Sequence, residues 1–168
     1  MAWAKNGTPH TLGSAADDLV ISDLTSTKFN MIMIHIPYAA NYNQPSTRMG
    51  NGSLDSGTNY TERHSFNGAA DGTGVNQTQI QHWPNPILPD DDIFFIDYII
   101  NISTEEKLSI GFGVDSGAVG AGTAPNREES VGKWANTSNQ YDQISMYNAG
   151  GTSNSFAISS NLSALGTD

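Results

Sequence analysis

The chain has 168 residues, no cysteine, and a net charge of -10 carried by only 14% charged residues. That length suits one domain with one core, and the lack of cysteine excludes disulfide scaffolds, thiolate metal sites and cysteine nucleophiles. The acidic bias opposes phosphate backbones and anionic lipid, so neither nucleic acid nor membrane is expected as a partner.

Taken in chain order, residues 1–24 hold no apolar run of the length a secretory signal requires, so assembly in the cytoplasm is expected. Residues 17–24 offer at most one short helical turn. Phe29–Ile36 alternates, with Phe29, Met31, Met33 and His35 on one face and Asn30, Ile32, Ile34 and Ile36 on the other. Both faces are largely apolar, which predicts a central strand covered on both sides. His35 accordingly reads as a hydrogen-bonded core histidine. Residues 47–53, 60–66 and 78–83 give weaker strand signals. Around them, residues 39–44 and 57–60 form polar loops where Tyr38, Tyr42 and Tyr60 gather, a small aromatic platform on which a sugar's C–H face would stack.

Asp90, Asp91 and Asp92 precede the next strand, residues 91–103. They could supply oxygen ligands to calcium, or act only as an acidic turn that keeps the apolar strand soluble. Within that strand Asp97 alone interrupts the run from Ile93 to Ile100. Residues 103–106 read as a turn. Residues 107–114 alternate, with Leu108, Ile110, Phe112 and Val114 expected to face inward. A Gly-rich loop follows at 115–126, then strand signals at 130–136, 143–147 and 155–165.

Roughly two-fifths of the chain is Gly, Ser, Thr or Asn, types that favour turns and strands over helix interiors. Asn-Gly pairs at 6–7, 51–52 and 67–68 mark tight turns. About nine short strands with almost no helix predict an all-β fold, an antiparallel β-sandwich of jelly-roll-like form, as a single domain over residues 1–168. The expected core holds Phe29, Ile32, Ile34, Phe94, Ile96, Ile99, Ile110, Phe112, Ile144 and Phe156.

Catalytic chemistry finds only fragments. His10, His35, His64 and His82 lie in separate segments, and HExxH, GxSxG and phosphate-binding glycine patterns do not occur. Carboxylates pair only as sequence neighbours, at Glu105-Glu106, Glu128-Glu129 and 90–92, whereas glycoside hydrolysis needs two that face each other across a cleft. No enzymatic activity, catalytic residue or cofactor is expected. Sequons at Asn6, Asn51, Asn59, Asn76, Asn101, Asn136 and Asn161 are what so much Asn, Ser and Thr produces by composition.

The C-terminal stretch "QISMYNAGGTSNSFAISSNLSALG" resembles a closing motif of β-sandwich virion structural proteins of tailed phages and related archaeal viruses. The matching positions are Ile144 and Met146, the turn 148–151, Phe156, Ser159 and Ser160, then Leu162, Leu165 and Gly166. Upstream, "TAPNREESVGKWANTS" is similar to the preceding segment, with Arg127, Lys133 and Trp134 in place, and "GTPHTLGSAADDLVISDL" resembles the N-termini. The resemblance implies a β-sandwich in a virion: a head-decoration, fibre or small capsid subunit, exposed outside after release yet made without an export signal. The implied partners are other virion proteins and further copies of the chain. Two largely apolar faces on one strand also call for a homo-oligomer, and three-fold relatives make it a trimer. The alternative is a carbohydrate-binding module that recognises host glycans through Tyr38, Tyr42 and Tyr60.

Overall fold

Thirteen strands and no helix make up the described part of the molecule, a computed structural model covering residues 2–37, 44–82, 92–117, 120–150 and 153–168. The strands are β1 (Ala4–Lys5), β2 (His10–Thr11), β3 (Asp18–Ile21), β4 (Phe29–Ile36), β5 (Pro45–Gly50), β6 (Tyr60–Phe66) and β7 (Gly72–Gln77). They continue as β8 (Ile80–Gln81), β9 (Ile93–Ile100), β10 (Lys107–Asp115), β11 (Asn126–Trp134), β12 (Gln143–Asn148) and β13 (Asn161–Thr167). A nine-stranded sheet runs β1-β13-β4-β9-β10-β11-β6-β7, with β2 also paired to β13; a four-stranded sheet runs β3-β12-β5-β8. Every pairing is antiparallel. Chain-distant strands are neighbours throughout, β13 beside β4 and β12 between β3 and β5, as in a jelly-roll-like sandwich.

Buried side chains from both sheets form one core, with Ile32, Ile34, Phe95, Ile99 and Leu162 from the large sheet meeting Leu19, Ile21, Met49, Ile80, Ile144 and Met146 from the small one. Trp134 and Tyr60 stack at 6.3 Å in its floor. Phe156 is fully buried, and its backbone bridges Ala16, so the C-terminal segment is fastened before β13 enters the sheet between β4 and the N-terminal strands. The Asn67-Gly68 pair turns β6 into β7 with both residues at positive φ and an Ala69 N–H to Phe66 carbonyl bond of 2.9 Å.

Three sequence expectations are corrected. Residues 17–24 form no helical turn: Asp18–Ile21 is β3, paired with β12. His35 is exposed rather than a core residue, on the outer face of β4. The phase of β10 is also the reverse of the expected one, and on β9 the expected core residues Phe94 and Ile96 lie on the outer side while Ile99 is buried as expected. Ile93, Phe95, Asp97 and Ile99 face inward, and so do Lys107, Ser109, Gly111, Gly113 and Asp115. Phe94, Ile110 and Phe112 are therefore exposed, Ile96 is only half-buried, and Phe29 is exposed on β4.

The reason lies in steric fit. A Cβ at Gly111 would collide with the Phe95 ring and Ser130 Oγ, and a Cβ at Gly132 would sit 2.8 Å from Ile80 of the facing sheet. Glycine is needed where those side chains pass, so the glycine side of β10 turns in and its apolar side turns out. A β-branched residue on an outward strand position would be neutral or better. Placed inward at Gly111, it overpacks: Gly111→Val should lower the unfolding free energy by about 1–3 kcal/mol, read as a fall in the urea midpoint at constant slope.

Candidate functional site

The reversed phase creates a continuous apolar surface on the outside of the large sheet. Directly opposed residues form cross-strand rows, since side chains that pair in register share a face. One row runs His35, Phe94, Val114 and Arg127, and the next Met33, Ile96, Phe112 and Glu129. A third runs Met31, Tyr98, Ile110, Val131 and Arg63. Phe29 faces Ile100 and Leu108 faces Lys133 at the lower end. Across β4, β9 and β10, only His35 breaks the apolar field.

The borders are polar. On the β13 side the opposed positions are Asn161, Ser163, Leu165 and Thr167. On the β11–β6 side they carry charge, balanced in local pairs: Arg63 with Asp71 at 3.1 Å, Arg127 with Glu129 at 3.7 Å, and Lys133 with Glu106 at 2.8 Å. Near Trp3, Phe29 and Leu108 the surface dips into an apolar groove of about 780 Å³.

The inner face is the opposite in character. His82 is buried, with Nε2 2.6 Å from Thr47 Oγ1, Nδ1 3.3 Å from Ser130 Oγ and its ring against Phe95. Asp97 comes within 3.7 Å of His82 Nε2, too far for a hydrogen bond, and neither of its oxygens has a hydrogen-bond partner among the described residues. Burial pushes Asp97 up to about 7 and His82 down to about 3, so near neutral pH His82 is uncharged and Asp97 is poised between its protonated and ionised forms. Glu62 accepts from the Gln81 N–H, and burial raises it to about 7. Glu128 lacks any hydrogen-bond partner among the described residues, and burial, with Glu129 and Glu62 nearby, raises it to about 8.

The sequence reading named His82 and Glu128 only as scattered fragments and did not foresee the burial of these four groups, apart from one signal. Asp97 interrupts an apolar strand, and a lone acid at an inward position must either lose its charge or find a partner.

The residues singled out for chemistry do not come together. Tyr38, Tyr42, Asp90 and Asp91 lie outside the described residues. Tyr60 is only 1% exposed, stacked on Trp134, with its hydroxyl accepting from the Met49 N–H (3.1 Å) and donating to the Met49 carbonyl (2.9 Å). Its ring is committed to the core and offers no face to a sugar. Asp92 takes part in backbone closure of the β9–β10 hairpin: its N–H donates to Ser116 Oγ and its carbonyl accepts from the Ser116 N–H. Among the described residues no three His, Asp or Glu side chains gather in a geometry that would hold a metal ion. Two sequon asparagines, Asn6 and Asn101, are buried in hydrogen-bond networks, consistent with a compositional origin.

The buried carboxyls set a pH dependence. Glu128 titrates near 4.5 unfolded and near 8 folded, so between those values the native chain holds the proton more tightly and stability falls as pH rises. Glu62 and Asp97 act in the same sense up to about 7; His82, whose folded value is depressed, opposes them below 6.5. The net fall is therefore cleanest above that point. Thermal unfolding should show a Tm lower by about 3 °C or more at pH 8.5 than at pH 6.5, and Glu128→Gln, which cannot ionise, should remove most of that difference.

The chain matches no known family model and no curated protein.

Proposed function

We propose that the chain is a non-enzymatic structural subunit of a virus particle, exposed on its surface as a head-decoration, fibre or small capsid protein. The observation that carries this reading is the uncovered apolar face of β4, β9 and β10. A freely soluble monomer rarely leaves a patch of that extent in water, whereas a subunit that is covered on assembly requires one.

The resemblance of residues 124–166 to virion β-sandwich proteins supplies the viral context. By analogy with the three-fold fibres and decoration proteins of the family it resembles, a trimer is the expected assembly, with other virion proteins as further partners. The net charge of -10 suits an outward position better than contact with packaged genome. The raised carboxyls would in another setting suggest catalysis. Here Asp97 is fully buried and Glu62 and Glu128 are largely so, which favours a structural reading of them.

Purified, nuclease-treated particles should contain the chain in many copies per particle by mass spectrometry, and cryo-EM should place it outside the shell. A protein found only in infected-cell extract would refute the structural role. Specific binding on a glycan array, lost with Tyr42→Ala, would replace it with the glycan-binding module.

A further inference from the structure

We infer that the outer face of β4, β9 and β10 is the surface through which copies of this chain pack against one another. The inference rests on the reading of the chain as an assembly subunit, and it assigns that assembly a location and an occupant.

Extent is the first argument. Phe29, Phe94, Tyr98, Leu108, Ile110, Phe112, Val114 and Val131 are between 37% and 54% exposed. With full exposures of aromatic side chains at about 150–250 Å² and aliphatic ones somewhat less, these residues together leave roughly 700 Å² of largely apolar surface in water. That exceeds the 300–600 Å² or so of the largest patch on an ordinary monomer. It approaches the 800 Å² or so that each partner contributes to a stable interface.

Composition is the second. The field has an apolar, aromatic centre with a polar border on both sides, which is how the buried core and wet rim of an interface are arranged. The centre carries no carboxylate, although the chain has 17 Asp and Glu.

Charge selects the occupant. A chain of -10 repels its own copies unless the meeting surface is locally neutral. Three of the seven Lys and Arg, namely Arg63, Arg127 and Lys133, lie on this border, each paired with an acid. The border is thus balanced while the excess negative charge lies elsewhere. A strongly basic partner would find its counter-charge on other surfaces and not here. A second copy, carrying the same apolar centre and the same balanced border, is the partner this face fits.

The absence of cysteine gives a direct test, since one introduced cysteine is the only thiol in the molecule. Phe112→Cys and Ile110→Cys, both at exposed positions that leave the core intact, should yield covalent oligomers with a short bis-maleimide. Ser53→Cys, exposed in the turn after β5 of the small sheet, should not. In parallel, Ile110→Asp should weaken self-association at least tenfold in sedimentation equilibrium, with an unchanged circular-dichroism spectrum, and Ser53→Asp should leave it unaltered. An oligomer that ignores Ile110→Asp and cross-links only elsewhere overturns the face and leaves the assembly reading standing. A wild-type chain that stays at 17.9 kDa at every concentration overturns self-association itself. If particles then cross-link Phe112→Cys to a chain of another mass, the face belongs to a different virion protein.

Discussion

The passage of Phe95 across Gly111, and of Ile80 onto Gly132, is the constraint on which the rest of this molecule depends. It fixes which side of β10 and β11 faces the small sheet. Because side chains alternate with a period of two, that choice sends every second residue of both strands the other way. Leu108, Ile110, Phe112 and Val114 leave the core as a set, while Lys107, Ser109 and Asp115 enter it. The entering polar groups are accommodated at the strand ends: Lys107 Nζ donates to the Glu105 and Asn136 carbonyls, and Asp115 accepts from Asn126 and the Gly117 N–H. The apolar groups that leave have no such local solution.

The same exchange weakens the isolated subunit on both faces. Inside, Asp97 and Glu128 displace apolar volume and are costly to ionise; outside, the apolar rows are only about half removed from water. A partner that covers the outer face recovers the second loss, because anything that binds only the native state stabilises it by mass action. In the assembly we propose, folding and association would therefore be coupled energetically even where no residue of the core touches the partner.

Much of this architecture is legible in the sequence, and the parts that are not share a cause. Phe29–Ile36 and residues 107–114 announce themselves because eight residues of alternation define a strand, and Ile93–Ile100 does so by its apolar run, whereas Tyr60–Phe66 signals only weakly. The two-residue strands β1, β2 and β8 hold too few positions to show any period, and Asp18–Ile21 competes with a helical turn over the same length. Periodicity also reports that β10 has an apolar side without reporting where that side points. The usual assumption is inward, and the evidence against it, Gly111 and Gly113 at alternate positions, has meaning only once Phe95 is known to need the space. Tyr60 illustrates the same limit in another form. Its place beside polar loops suggested a binding platform, whereas stacking on Trp134, seventy-odd positions away in the chain, decides its role.

The edges of the sheets complete the argument about how copies meet. Unpaired strand edges are the usual route to open-ended association, and long flat ones invite it. Here the large sheet ends at the two-residue β1 on one side and at β7, a Gly-containing strand with a register shift against β6, on the other. Among the described residues the small sheet ends at β3, four residues long, and at β8, two residues long. Apart from β7, whose pairing is interrupted by that register shift, none of these edges is long enough to offer a useful ladder to another chain. With the edges blunted and one face apolar, the association we propose would run through side chains rather than backbone. Side-chain packing between faces has a defined partner and a defined orientation, which favours a closed assembly of fixed number over a growing sheet.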